Sequence, residues 1–171
     1  MRVIAGHLKG RRLQAPRGLR VRPTTDRVKE ALFSILGAHV VGARVLDLYA
    51  GTGALGIEAL SRGAAAVTFV EHHPASVKCL RQNLEACGLT GAATVKTVRV
   101  ESFLERPVER SCPFDVLLAD PPYEQVDEIA AWGVRLSSEI IAHDGVAVIE
   151  HGAKWSPPSR LGPLSLLRTY S

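Results

Sequence analysis

The chain has 171 residues, 46% of them hydrophobic and 22% charged, the size and balance of one globular domain rather than of a disordered chain. No run approaches eighteen consecutive apolar residues, so no membrane-spanning helix is expected. The net charge of +4 is unevenly spread: residues 1–30 carry nine Lys/Arg against Asp26 and Glu30, and the other 141 residues sum to −3.

A basic arm on a mildly acidic body is the footprint of a polyanion binder. The first residues, Met1-Arg2-Val3-Ile4-Ala5-Gly6-His7, have no long apolar core, so no signal peptide is expected. Three cysteines (Cys79, Cys87, Cys112) form no C-x-x-C pair, which argues for reduced thiols in a cytoplasm and against disulfides or a zinc knuckle. Six histidines (His7, His39, His72, His73, His143, His151) show no ligand spacing, so no metal site is expected.

Residues 2–22 read as two short strands with turns at Gly6 and Gly10. Thr24 or Thr25 can cap a following helix that opens with Asp26, places Val28, Leu32, Ile35 and Leu36 on one face and stops at Gly37. Strand–helix alternation then begins. Strands are expected at 44–50, 66–70, 94–100, 114–119 and 146–150, with a sixth at 164–170. Helices are expected at 54–62, from Pro74 to Cys87, and around 125–136. The pattern predicts an α/β fold, a mostly parallel sheet with helices on both faces. In such sheets ligands sit at the carboxyl ends of the strands.

The first of these strands leads into Asp47-Leu48-Tyr49-Ala50-Gly51-Thr52-Gly53-Ala54-Leu55-Gly56, in which Gly51, Gly53 and Gly56 match G-x-G-x-x-G. Glycines let a ligand approach the backbone, although a tight strand–helix turn needs them without one. Asp47 ends an apolar strand, where a buried carboxylate must accept hydrogen bonds. Glu71 closes the next strand, where an acid can accept ribose hydroxyls. Loop and acid fit either NAD or S-adenosylmethionine. Asp120-Pro121-Pro122-Tyr123 decides between them. Consecutive prolines make a stiff corner with free carbonyls. There Asp120 and the Pro121 carbonyl can each accept one N–H of an exocyclic amine, while Tyr123 stacks on the base.

These motifs resemble those of class I S-adenosylmethionine-dependent methyltransferases that modify exocyclic amino groups. Arg2–Gly6, Lys9-Gly10-Arg11 and Arg22–Phe33 extend the likeness to the RsmD family, the bacterial 16S rRNA guanine-N2 methyltransferases acting at position 966. The resemblance implies a Rossmann-like methyltransferase domain over residues 41–171. Residues 1–40 then form a basic hairpin and helix extension that contacts RNA. It assigns Asp47, Tyr49, Gly51, Thr52, Gly53, Glu71, Glu101 and Ser102 to the cofactor, with Glu101 and Ser102 placed at the third strand. Asp120, Pro121 and Tyr123 hold the target guanine. Arg2, Lys9, Arg11, Arg12, Arg22, Thr25 and Arg27 are the expected RNA contacts. The partner is 16S rRNA in the small ribosomal subunit or an assembly intermediate, met by a cytoplasmic monomer. A closing strand of the sheet is expected to be missing after residue 170. The competing readings are a DNA adenine-N6 methyltransferase, a nicotinamide-dependent oxidoreductase, and a non-catalytic RNA-binding assembly factor.

Overall fold

The computed structural model describes residues 1–16, 26–105, 113–122, 128–137, 139–152 and 155–170. Five strands, β1 (Arg44–Leu48), β2 (Ala66–Val70), β3 (Ala93–Lys96), β4 (Phe114–Ala119) and β5 (Ile141–Ile149), form one sheet in the order β3-β2-β1-β4-β5. Every neighbouring pair is parallel. The connecting helices are α2 (Ala54–Ser61), α3 (Pro74–Ala86), α4 (Val100–Leu104) and α5 (Glu128–Arg135), and α1 (Asp26–Leu36) precedes the sheet.

The central strands read as continuous apolar runs because both of their faces are covered. Side chains alternate between two core clusters. Val45, Val67, Phe69, Val116 and Leu118 join α1, α2 and α3. Leu46, Leu48, Val70, Leu117 and Ala119 join α4 and α5. The chain order reverses between β1, flanked by β2, and β4, which opens a crevice at the carboxyl ends of those strands.

Several expected boundaries move. Residues 100–104 form α4 rather than the end of the third strand. Val100 and Leu104, one helical turn apart, are both buried, while Ser102, which a strand would put on their face, is only half-buried. The fifth strand begins earlier, at Ile141, and its register with β4 shifts between Phe114 and Val116. The expected sixth strand shrinks to Leu164–Ser165, which pairs with Arg160–Leu161 in a separate two-stranded ribbon (β6 and β7); Leu167 beyond it is exposed. In α1 the buried stripe is Lys29, Leu32, Phe33 and Leu36, while Val28 and Ile35 are exposed. Both stripes have helical spacing, and packing selects the one that buries Phe33.

Among the described residues, the N-terminal pair of strands shows a single antiparallel bridge, Arg2 with Arg12; residues 17–22 of that stretch lie outside them. The amides of Ile4, Ala5, His7 and Leu8 turn instead to α2. Ile4 and Ala5 donate to Glu58 at 2.8 and 2.9 Å, His7 to the Ser61 carbonyl at 2.9 Å, and Leu8 to Ser61 Oγ at 3.0 Å. A Cβ on Gly6 would lie 1.8 Å from the Ser61 carbonyl oxygen, so this approach requires glycine. Val3 and Leu13 enter the same core cluster as α1, α2 and α3.

Candidate functional site

At the end of β1 the chain enters an irregular loop. Tyr49 and Gly51 both have φ 56°, and Gly53 has φ 83°. A left-handed tyrosine costs on the order of 1–3 kcal/mol and needs support from its surroundings. Its ring stacks on buried Trp132 with centroids 5.8 Å apart, and its hydroxyl donates to Glu101 Oε1 at 3.2 Å. The three glycines have different jobs. A Cβ on Gly53 would meet Leu80 at 2.3 Å, and one on Gly56 would meet Phe69 at 2.3 Å, so both allow α2 to pack closely. Only at Gly51 is the nearest atom as far as 3.9 Å, leaving open backbone for a ligand.

Asp47 is buried, and its Oδ2 accepts the Gly56 amide at 2.9 Å. Burial pushes its carboxyl up to about 8. The Gly56 hydrogen bond opposes that rise, and the nearby charges of Asp120 and Glu71 reinforce it. Glu71 Oε2 accepts the Gly51 amide at 2.9 Å, and Oε1 accepts the His73 amide at 2.7 Å. A carboxylate has about four lone-pair positions, so acceptor capacity remains for hydroxyl groups. The Asp120 corner follows β4. The Glu150 amide donates to the Ala119 carbonyl at 2.8 Å and pins the strand end, with Pro121 buried and Pro122 exposed.

Strand ends thus gather Asp47, Gly51, Glu71 and Asp120 at one crevice. Glu101 joins them through Tyr49, but from the first turn of α4 rather than from a strand, and Ser102 lies on the same helix. Thr52 is buried, with its hydroxyl 3.9 Å from Met1 Sδ. Tyr123, Arg22, Thr25 and Cys112 lie outside the described residues. No cluster of potential metal ligands occurs among the described residues, nor any helix there long and apolar enough to cross a membrane. Cys79 is buried, and burial pushes its thiol up.

On the arm, Lys9, Arg11, Arg12 and Arg27 are exposed. Arg2 is also exposed and pairs with Asp26 at 2.9 Å. Lys29, counted in the basic stretch, is fully buried. Its ammonium donates to the Arg2 carbonyl and lies 3.9 Å from Glu58 Oε2. Burial lowers its pKa against the pull of Glu58. Sequence reading missed Glu58, whose one signal was a carboxylate inside the apolar run Ala54-Leu55-Gly56-Ile57-Glu58-Ala59-Leu60. It also missed Asn83, which carried no signal. Asn83 Oδ1 accepts the Gln14 amide at 2.8 Å, and Nδ2 donates to the carbonyls of Gln14 at 3.1 Å and Thr52 at 3.0 Å.

The parallel β3-β2-β1-β4-β5 sheet, the glycine loop and the acids at the strand ends define a Rossmann-like class I methyltransferase fold. A family model described as Conserved hypothetical protein 95 matches residues 1–171. The chain belongs to this family, the RsmD-type methyltransferases.

The Bacillus subtilis protein YlbH is 38% identical over 98% of this chain and 91% of its own length. Ribosomal RNA small subunit methyltransferase D of Escherichia coli is 42% identical over 73% of this chain, an alignment spanning 61% of that enzyme. The solved structure of a hypothetical protein of Thermus thermophilus superposes with a TM-score of 0.79 at 31% identity, covering 92% of this chain and 90% of that one. The Thermus thermophilus 16S rRNA N2 G1207 methyltransferase RsmC, solved with AdoMet and guanosine, superposes with a TM-score of 0.50 at 34% identity, covering 63% of this chain and 27% of that one.

Proposed function

We propose that this protein transfers a methyl group from S-adenosylmethionine to the exocyclic N2 amine of one guanine in 16S rRNA. The observation that carries the reading is the convergence of Asp47, Glu71 and Asp120. The charges of the latter two act on Asp47 across the crevice beside the open Gly51 backbone. The residues fit the cofactor: Gly51 offers unobstructed backbone, Glu71 retains acceptor capacity for ribose hydroxyls, and buried Asp47 is a carboxylate for a cationic ligand to face. Glu101, held by Tyr49, stands beside the adenine end with Ser102. Tyr49 and Thr52 complete the cradle, and Gly53 shapes it by letting α2 pack close. The names of the Escherichia coli relative and the Thermus thermophilus RsmC support the substrate class and the cofactor.

When bound, the cofactor supplies an electrophilic sulfonium methyl. The guanine amine is a weak nucleophile, because its lone pair is delocalised into the ring. Asp120 and the Pro121 carbonyl accept its two hydrogens, fixing the direction of the lone pair, and Tyr123 stacks on the base. Such positioning supplies up to roughly 7–11 kcal/mol in favourable cases, so no strong base is required. The proton the nitrogen sheds once the N–C bond has formed passes to the Asp120 carboxylate, with the methyl donor left as a neutral thioether. Residues 1–40 serve as the RNA-contacting extension, with Arg2, Lys9, Arg11, Arg12, Arg22, Thr25 and Arg27 on phosphates, and residues 41–171 carry out the transfer. A base in structured RNA must be turned out to reach the corner. One chain carries both parts, so the reading needs no second subunit, and it places the protein in the cytoplasm with the ribosomal small subunit.

The test is nucleoside analysis after incubation with cofactor and either undermethylated small subunits or double-stranded DNA. N2-methylguanosine in the rRNA is the expected product. N6-methyladenine in the DNA would keep the chemistry and overturn the substrate.

A further inference from the structure

We propose that the outer face of α3, with Lys78 and Arg81, forms a second RNA contact: a track for the phosphodiester backbone flanking the target base. The proposal rests on the RNA-methylating reading above and adds a surface outside the basic arm.

Residues 11–16 climb α3 from its last turn to its first. The Arg11 guanidinium donates to the Ala86 carbonyl. Gln14 is held one turn further along by Asn83, and its carbonyl also accepts from Cys79 Sγ at 3.1 Å. Ala15 and Pro16 then line a hollow of about 420 Å³ with Ala75, Lys78, Cys79 and Gln82. A buried side-chain amide with good bonds in both directions fixes this strap as a wall. On the other side of Lys78 and Gln82 lies a second hollow of about 410 Å³, lined by Pro74, Val77, Lys78, Arg81, Gln82, Glu85 and Thr97. The two hollows share Lys78 and Gln82, which stand between them on the outer face of α3. Together the hollows flank this face from the strap to the rim beyond β3, where Arg81 Nη2 donates to Thr97 Oγ1 at 3.4 Å.

The chemistry of this face suits a polyanion. Lys78 and Arg81 are exposed cations one turn apart, and Gln82 adds a neutral donor. Glu85 is the one acid in the lining, at the C-terminal end of the stripe. The stripe begins at Pro74, three residues after Glu71, so its N-terminal end adjoins the crevice. A strand gripped by the arm and entering the crevice from this side passes over Lys78 and Arg81.

The test compares wild type, Lys78→Gln/Arg81→Gln, and a control, Arg160→Gln/Arg168→Gln, that removes two exposed arginines near the β6–β7 ribbon. Affinity for a 16S rRNA fragment is measured across salt concentrations, with cofactor affinity alongside. Two lost phosphate contacts should make the log–log salt slope shallower by about 1.4–1.8. The KM for RNA should rise, cofactor affinity should hold, and the control should keep the wild-type slope. An α3 variant with the wild-type slope, or a control that changes as much, overturns the track and leaves the functional reading standing. A wild-type protein that binds no RNA overturns both.

Discussion

Glu71, just past the end of β2, accepts the Gly51 amide at 2.9 Å, so the acid of one strand braces the loop that follows its neighbour β1. The same carboxylate therefore shapes the glycine loop before any ligand arrives. Glu71→Ala removes the brace and, under the proposed function, the ribose acceptor. A charge-assisted contact of roughly 1.5–3 kcal/mol corresponds to about a 10- to 150-fold loss in affinity for S-adenosylmethionine, readable by calorimetry. Glu71→Gln keeps a neutral acceptor and is expected to lose less.

Asp47 gives the protein a pH signature. Its ordinary value is 3.8, and burial raises it to about 8. Between those values the folded protein holds a proton that the unfolded chain has released. The stability this group contributes is complete below about pH 4 and is lost as pH climbs through about 8. Asp47→Asn, neutral throughout, should therefore gain thermal stability over the wild type as pH rises from 5 to 9 in the absence of ligand. It should also weaken cofactor binding, because a cationic ligand favours ionised Asp47. An unchanged stability difference across that range would contradict the assignment.

The arm is seated through Glu58. Its Oε1 accepts from the Ala5 amide and from Arg62 Nε at 2.8 Å, while Oε2 accepts from the Ile4 amide beside Lys29. Glu58→Ala leaves a buried lysine without its counter-charge, a loss of about 3–5 kcal/mol by the usual cost of breaking a buried pair. Denaturant unfolding measures it. Lys29→Met keeps the volume, leaves Glu58 bonded to two amides and Arg62, and should cost less.

Asn83 joins the arm to the glycine loop by bonding Gln14 on one side and the Thr52 carbonyl on the other. Asn83→Leu leaves the Gln14 amide without this acceptor. Protease cleavage within residues 1–16 should become faster. Cleavage that stays at the wild-type rate would show that the link is dispensable.

Sheet and crevice were legible because the signals were local. The strand at 66–70 and the one at 114–119 fall where short apolar runs put them, and Asp47, Gly51, Glu71 and Asp120 all stand at or just beyond strand ends. What stayed hidden depends on contacts far apart in sequence. Lys29 reads as one more cation of a basic arm, yet a carboxylate 29 residues away takes it into the core. The amides of Ile4 and Ala5 look available for a hairpin until α2 supplies Glu58 as the better acceptor. Residues 94–100 spread Val95, Val98 and Val100 among polar neighbours. The turn that ends β3 at Lys96 and starts α4 at Val100 is set by burying Leu104 beside α5.

The most direct measurement is transfer of labelled methyl from S-adenosylmethionine to undermethylated small ribosomal subunits by wild type and by Asp120→Ala. The account predicts label on one guanine of the 16S rRNA, with turnover reduced about 10²–10⁴-fold in the variant and cofactor affinity little changed. Full turnover by Asp120→Ala, or cofactor binding without any transfer to rRNA by the wild type, would contradict it.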